Sequence, residues 1–232
     1  GMGPTKALLI AALWVLCMGP TKAWQYAQQK TVQRQLPDHL ATYSARHQDR
    51  RLGGELSGSD LARARAAIDR VACLNGLSVE ETAEDGDCGP DSILRNLERL
   101  GGSTRTGRLV LETLAAKGRK PAIAVMRRAL CQWLKAHSTQ TVLPDVTVRA
   151  WCMMDALQAS FEDYLSAMGR MSTYIDTGML YAASAIFEAQ IVMLVGTGEG
   201  EPQLIASATI AGRQDPVPIM AMANIGNVHF LA

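Results

Sequence analysis

The sequence is poor in aromatic residues and holds no cysteine–histidine pattern of the kind that binds a metal. Aromatic residues make up 5% of the 232 residues, and three of them are Phe. The five cysteines form an odd set without a C-x-x-C pair and without histidine at zinc-ligand spacing. We therefore expect neither a disulfide framework nor a structural zinc, and no cofactor. Unpaired thiols in this number favour a reducing compartment and predict a cytoplasmic protein.

A basic surface is also missing. The formal net charge is +1, and the Lys and Arg residues are spread along the chain instead of forming a stripe. Proteins that bind nucleic acid usually concentrate positive charge on one face, so a nucleic-acid partner is not expected. Hydrophobic residues make up 48% and charged residues 19%, a balance typical of a globular chain. We expect a monomer.

The sequence contains no apolar run long enough to predict a membrane span. The longest N-terminal run, residues 7–18, is shorter than the roughly 20 residues that a spanning helix needs. It is either a packed or partner-seeking helix or a targeting segment, and the first reading is preferred. A charged, glycine-bearing stretch follows. The chain therefore divides into an N-terminal helical extension with a linker, residues 1–56, and a globular domain, residues 57–232.

Helical patterns dominate the domain, and strand patterns come late. Apolar periodicity predicts helices over 59–75, 90–100, 108–117, 122–137, 148–168 and 179–188. Ser59 or Asp60 is the candidate cap of the first helix, Pro90 suits the first turn of the second, and Asp176 or Thr177 is the candidate cap of the last. Short β-type runs follow over 190–195, 203–208, 217–223 and 227–231. This order indicates an α+β fold, with a helical block around a small late antiparallel sheet.

Cys88 is the strongest candidate for a nucleophile. It stands in the segment DGDCGP, residues 85–90, directly before a predicted helix. Unpaired N–H groups at a helix N-terminus favour a thiolate and lower the thiol pKa, and nearby backbone donors could hold an oxyanion. The alternative is a loop cysteine whose acidic neighbours oppose the thiolate. Three other cysteines, Cys73, Cys131 and Cys152, lie in apolar helical patterns and are expected to be buried and inert.

A thiol nucleophile generally needs an imidazole to take and return its proton. His39 and His47 lie in the N-terminal extension, and His137 ends a predicted helix, where it suits a capping role. His229 lies in the last strand-like run, where a sheet can hold its ring. It is the best placed of the four, although a lone strand histidine is usually simply part of the core.

Three segments in order resemble blocks of the ovarian-tumour (OTU) family of cysteine proteases. Residues 85–88 (DGDC) are similar to the family's nucleophile signature, and residues 174–194 (YIDTGMLYAASAIFEAQIVML) to its second block. Residues 227–230 (NVHF) are similar to its terminal histidine–aromatic motif. The resemblance covers roughly residues 70–232 and implies an OTU-like, papain-type α+β fold. It also implies a divergent bacterial or viral member of the family.

The resemblance implies that Cys88 and His229 are the catalytic pair of a deubiquitinase. Asp85 and its neighbours would supply backbone donors to the oxyanion, while the Asp85 side chain shapes the loop. Many family members carry Asp or Asn two residues after the histidine, where this chain has Leu231. Asn227, two residues before the histidine, is the candidate third member.

The implied partner is ubiquitin or polyubiquitin, whose tail ends in two glycines. Gly86, Asp87 and Gly89 would then border a narrow channel for that tail. In the helical block, Met126 or Leu130 would meet the hydrophobic patch of ubiquitin. Acidic residues before the nucleophile would receive arginines of the tail, and they are Glu80, Glu81 and Glu84.

Two other functions remain open. An OTU-like module could bind ubiquitin without cutting it, a possibility prompted by Leu231. Alternatively, the protease could act on a polyprotein or on a different modifier. The divergent resemblance further suggests an effector that acts in the cytosol of a host cell after secretion.

Overall fold

The computed structural model describes residues 57–82, 85–143, 145–154, 156, 158–196, 202–206, 217–225 and 229–232. At positions 143, 203–206 and 229 it describes the backbone alone. The predicted extension, residues 1–56, lies outside the described residues, and so does its apolar run. The predicted boundary between extension and domain therefore stays a prediction.

Seven helices and six strands make up the described chain. The helices are α1 (Gly58–Leu74), α2 (Cys88–Leu100), α3 (Arg105–Lys117), α4 (Arg119–Ala136), α5 (Val148–Met154), α6 (Phe161–Met168) and α7 (Thr177–Phe187). The strands are β1 (Thr141–Leu143), β2 (Val146–Thr147), β3 (Gln190–Gly196), β4 (Gln203–Ala206), β5 (Ile219–Ile225) and β6 (His229–Leu231). The predicted α+β class is confirmed.

Side-chain caps fix where several helices begin. The Asp176 carboxylate accepts the N–H of Met179 and starts α7, as predicted, whereas α1 starts from Ser57 rather than from Ser59 or Asp60. The single helix predicted over 148–168 is wrong, because the Ser160 hydroxyl accepts the N–H of Asp163 and begins α6 separately from α5. The short β1–β2 hairpin was not predicted.

The larger sheet is mixed. Its strand order is β4-β3-β5-β6, and the central strands β3 and β5 run parallel over their whole length. The outer pairs, β3 with β4 and β5 with β6, are antiparallel. The predicted all-antiparallel sheet is therefore wrong at its centre. β4 occupies one edge of β3, so β5 pairs with the opposite edge, where it runs in the direction of β3.

Helix α1 packs against β3 and β5 and closes one side of the core. Its Ala64 and Ile68 join Ala223, Ile225 and Leu231 in one apolar cluster. Burying a side chain such as Ile68 contributes about 1.5–3 kcal/mol relative to leaving it in water.

Helix α4 forms another part of the core through one buried stripe. Met126 and Leu130 are both 0% exposed on this stripe. The prediction that they meet ubiquitin is therefore wrong in this structure, since neither side chain reaches the surface.

In the part of the chain that the structure describes, no helix is long and apolar enough to cross a membrane.

Candidate active site

Cys88 is the first residue of α2, at the loop-to-helix junction that the sequence predicted. The residue before it, Asp87, is the N-cap, but its side chain makes no capping hydrogen bond. Pro90 lies in the first turn, where its missing N–H leaves no helical bond unmade. The thiol is buried, with 1% of Cys88 exposed. The first-turn N–H groups are therefore close to the sulfur and are not used by a cap.

The pKa of the Cys88 thiol is raised, mainly because burial disfavours the thiolate. Hydrogen bonds from the backbone N–H groups of Phe230, Gly89 and Cys88 itself lower the pKa but do not outweigh burial, and the Asp85 charge raises it further. The predicted lowering of this pKa by the helix terminus is thus wrong for the thiol in this environment. A nucleophilic role for this thiol, as predicted, would require a base to take its proton.

Two polar side chains dock α2 onto the sheet. The Ser92 hydroxyl donates to the carbonyl of Leu231 at 2.8 Å. The Asn96 amide donates to the carbonyl of Ala221 at 2.9 Å and accepts the N–H of Ala221 at 3.1 Å. Ser92 and Asn96 follow Cys88 at intervals of four residues, so the three lie on one face of the helix. That face points the start of α2 toward β6.

The segment before Cys88 is attached to the same strand. Glu80 and Ala232 exchange backbone hydrogen bonds in both directions, at 2.6 and 3.1 Å. The Thr82 hydroxyl donates to the carbonyl of Phe230. Residues 80–82 therefore run along the outer edge of β6. Both chain segments that flank Cys88 are held by the strand that begins at His229.

The structure thus brings the backbone of His229 next to Cys88. His229 pairs with Ile225 as the first residue of β6, and the N–H of its neighbour Phe230 reaches the Cys88 sulfur. The His229 side chain lies outside the description, as does Asn227 altogether. Their roles as base and orienting residue stay predictions.

Leu231 explains why this chain has no acid two residues after the histidine. Its side chain is 0% exposed and packs in the apolar cluster with Ala64 and Ile68 of α1. A carboxylate at this position would be buried among apolar groups, which costs several kcal/mol (roughly) unless it is paired. Leu231 is therefore not the residue that would orient the predicted His229 base.

The turn before Cys88 is held in a tight conformation. Gly86 has φ +81°, and a Cβ there would lie 2.4 Å from the carbonyl oxygen of Ser172. The Asp85 carboxylate accepts the N–H of Asp87 at 3.2 Å, so its side chain does shape the loop. A Cβ at Gly89 would lie 2.5 Å from Ile175. Internal packing accounts for both glycines, and their contact with a substrate tail stays a prediction.

Asp87 forms an ion pair with a buried arginine, Arg127, which the sequence analysis missed. The Arg127 guanidinium donates twice to Asp87 Oδ1, at 2.9 and 2.6 Å, and the N–H of Ser172 donates to Oδ2 at 3.0 Å. Asp87 is 3% exposed and Arg127 is 0% exposed. The available signal was an arginine on the apolar stripe of α4, between Met126 and Leu130. Such a buried cation requires an acidic partner.

Other predicted residues have partners within the chain. Glu80 forms ion pairs with Arg95 and Arg99, which lower its pKa, and Glu81 pairs with Arg65. Glu84 lies outside the described residues. The capture of substrate arginines by these acids stays a prediction.

The remaining described cysteines are not nucleophile candidates. Burial raises the pKa of Cys131 to about 11 and that of Cys152 to about 12. Cys73, in contrast, is exposed, so its predicted burial is wrong. It lies near the end of α1, apart from the residues around Cys88.

Comparisons with known proteins give one finding, at the level of fold. No protein-family profile matches the sequence, and no curated protein matches it. The OTU domain of OTUD1 aligns with a TM-score of 0.52 at 8% identity, over 75% of this chain and 95% of that chain.

Two further solved structures align less well. The Hazara virus OTU bound to ubiquitin has a TM-score of 0.44 and 13% identity over 67% of this chain and 79% of its own. The h/ceOTUB1 complex with ubiquitin aldehyde and UBCH5B~Ub has a TM-score of 0.39 and 12% identity, over 75% and 62%. The OTUD1 comparison carries the conclusion: the described part of this chain has an OTU-like fold.

Proposed function

We propose that this protein is a cysteine-dependent hydrolase that cuts after the C-terminal glycine of ubiquitin or a ubiquitin-like modifier. One observation carries the proposal. The chain segments on both sides of Cys88 are hydrogen-bonded to β6, and this brings the backbone of the His229–Phe230 step against the thiol. The His229 imidazole would therefore project from a strand whose backbone is fixed beside Cys88. The OTU-like fold supports the same assignment.

The proposed chemistry uses the raised thiol pKa. His229 takes the proton from Cys88 as the sulfur attacks the carbonyl carbon of the terminal glycine. The carbonyl oxygen becomes an oxyanion, which N–H groups of the first turn of α2 stabilise. The intermediate collapses to a thioester as the amine leaves with the proton from His229. Water, deprotonated by His229, then hydrolyses the thioester and frees the thiol.

We assign the apolar contact with ubiquitin to residues beside the nucleophile turn instead of to α4. Met171 is 36% exposed and Tyr174 is 51% exposed, and they flank the Ser172 segment that contacts Gly86. Removing the Tyr174 ring is expected to raise KM several-fold, because aromatic side chains often anchor protein interfaces. Leu74→Ala is the control, since Leu74 is 80% exposed at the end of α1. Equal effects of Tyr174→Ala and Leu74→Ala on KM would contradict this assignment.

A panel of defined diubiquitins tests the activity, the substrate and the nucleophile together. The wild type should cleave at least one linkage, Cys88→Ala should cleave none, and Cys73→Ala should behave as the wild type. A ubiquitin probe with a C-terminal electrophile should label Cys88. Absence of cleavage and labelling with folded, monodisperse protein refutes the deubiquitinase. If the protein instead cleaves another modifier or a polyprotein, that molecule replaces ubiquitin as the proposed substrate.

A module that binds ubiquitin without cutting it is the second candidate. The buried Cys88 thiol and the apolar surroundings of Leu231 favour it. In that case ubiquitin should bind with the same affinity to the wild type and to Cys88→Ala, and the electrophilic probe should not react. Titration calorimetry and the probe assay separate the two candidates.

The proposed place of action is a reducing cytosol, including that of a host cell after secretion. The four cysteines of the described chain are free thiols. Fractionation of infected or producing cells, with an antibody against the protein, tests this location. Detection only in an oxidising compartment would contradict it. Light scattering on purified protein should return a monomer.

A further inference from the structure

Arg127 collects more hydrogen bonds than an anchoring ion pair needs. Besides Asp87 Oδ1, its guanidinium donates to the carbonyl oxygens of Met168 at 2.9 Å and Gly86 at 3.2 Å, and to that of Thr173. These acceptors belong to the nucleophile turn and to the connection between α6 and α7. A fully buried guanidinium is tolerated because these acceptors replace its lost hydration.

The second observation is that Asp87 occupies a cap position without capping. An N-cap carboxylate normally accepts the N–H of the second or third helical residue. Here the third residue is Pro90, which has no N–H, so the N–H of Gly89 is the cap target that remains. That N–H lies beside the Cys88 thiol, whose pKa it lowers. Both Asp87 carboxylate oxygens are turned away, to Arg127 and to the N–H of Ser172.

We propose that Arg127 is a positioning residue that holds the Asp87 carboxylate away from the Gly89 N–H. This keeps a backbone donor open for the oxyanion and keeps a negative charge away from the nucleophile. Without Arg127, the carboxylate has one remaining cap target, and it lies at the reaction centre. The inference rests on the proposed function, because it assigns the first-turn N–H groups to oxyanion binding.

The Asp85 charge also raises the pKa of Cys88. Its carboxylate accepts the N–H of Asp87, and this contact does not involve Arg127. The proposed effect therefore belongs to Asp87, and an Asp87→Ala substitution isolates it. Alanine neither caps the helix nor carries charge.

The test compares Arg127→Met, Asp87→Ala and the double variant, using hydrolysis of a ubiquitin C-terminal fluorogenic amide. In Arg127→Met, kcat should fall about 100-fold or more with little change in KM, as expected for the loss of an oxyanion donor. In the double variant, kcat should recover at least tenfold over Arg127→Met, because no carboxylate is left to occupy the donor. A merely structural Arg127 predicts a double variant as slow as Arg127→Met, since the contacts to Gly86, Met168 and Thr173 are still missing.

Unfolding curves must show that each variant is folded. If Arg127→Met does not fold, the double variant decides: a kcat less than about tenfold below that of the wild type supports the proposal, and a larger loss overturns it.

Alkylation of Cys88 by iodoacetamide across pH, read by mass spectrometry, gives a result that needs no substrate. The Cys88 pKa should rise in Arg127→Met and return toward the wild-type value in the double variant. If the wild type hydrolyses no ubiquitin substrate but shows these shifts, the proposed function fails and the positioning role stands. If the Cys88 pKa in the double variant stays as high as in Arg127→Met, the positioning role is refuted.

Discussion

Asn96→Ala should destabilise the protein far more than an ordinary helix asparagine would. Asn96 is 4% exposed, and its side chain bonds the N–H and the carbonyl of Ala221. The β5–β6 ladder ends at the pair Ala223–Leu231. Ala221 lies two residues before Ala223 on β5, outside this ladder. The Asn96 amide therefore supplies Ala221 with the hydrogen bonds that β6 does not provide. Its removal leaves two partly buried backbone groups of Ala221 without this partner, at up to about 1–3 kcal/mol each.

Asn75→Ala is the matched control. Both asparagines donate to the carbonyl four residues earlier, Asn96 to Ser92 and Asn75 to Val71. Only Asn96 adds the bonds to a strand. We expect a loss of about 3–5 kcal/mol for Asn96→Ala, which includes the cavity left behind, and about 1 kcal/mol or less for Asn75→Ala.

Urea unfolding followed by circular dichroism measures both values. Because Asn96 docks α2, Asn96→Ala should also lower kcat in protein that remains folded, whereas Asn75→Ala should not. Equal losses of stability in the two variants would show that the bonds to Ala221 do not hold α2 on the sheet.

Three further predictions concern glycine and the thiols. Gly86→Ala should destabilise the fold and lower kcat more than Gly101→Ala. Both glycines have positive φ, but a Cβ at Gly86 would lie 2.4 Å from the Ser172 oxygen, whereas a Cβ at Gly101 would meet nothing within 4 Å. Equal unfolding midpoints would refute this. The pKa of Cys152 rises from 9.0 to about 12 on folding, so its stabilising contribution is complete below pH 9 and lost as the pH rises toward 12. The loss is up to about 4 kcal/mol, and unfolding of Cys152→Ala should depend less on pH in that range. Iodoacetamide at neutral pH should modify exposed Cys73 before buried Cys88 and Cys152, and peptide mapping over time would reveal any other order.

Local signals in the sequence predicted the elements that carry the candidate site. The residues around Cys88 placed the start of α2 within two residues, since Pro90 suits a first turn and Gly86 suits the turn before the helix. The N-cap Asp176 placed α7, and the change from helical to alternating periodicity placed the late strands. These signals depend on neighbours within a few residues, which is why one sequence is enough to read them.

Properties that depend on distant residues were not predictable in the same way. The parallel pairing of β3 with β5 depends on which edge of β3 is free, and the strand patterns do not carry that information. Whether Met126 faces the core or a partner depends on what packs on α4. The raised pKa of Cys88 depends on burial by the assembled fold, which outweighs the local effect of the helix terminus.

The burial of Leu231 bears on how the proposed base, His229, is oriented. In a site with an acid two residues after the histidine, that side chain can hold the imidazole. Here the same position belongs to the core, but the backbone around it is bonded on two sides, by Ser92 of α2 and by the segment that contains Thr82. A strand fixed in this way limits the movement of any side chain it carries, so less orientation is required of a third residue. By this argument, weakening the Ser92 bond should harm catalysis at least as much as removing Asn227. Ser92→Ala and Asn227→Ala, compared by kcat, decide between backbone anchoring and a side-chain triad, and a loss confined to Asn227→Ala would restore the triad.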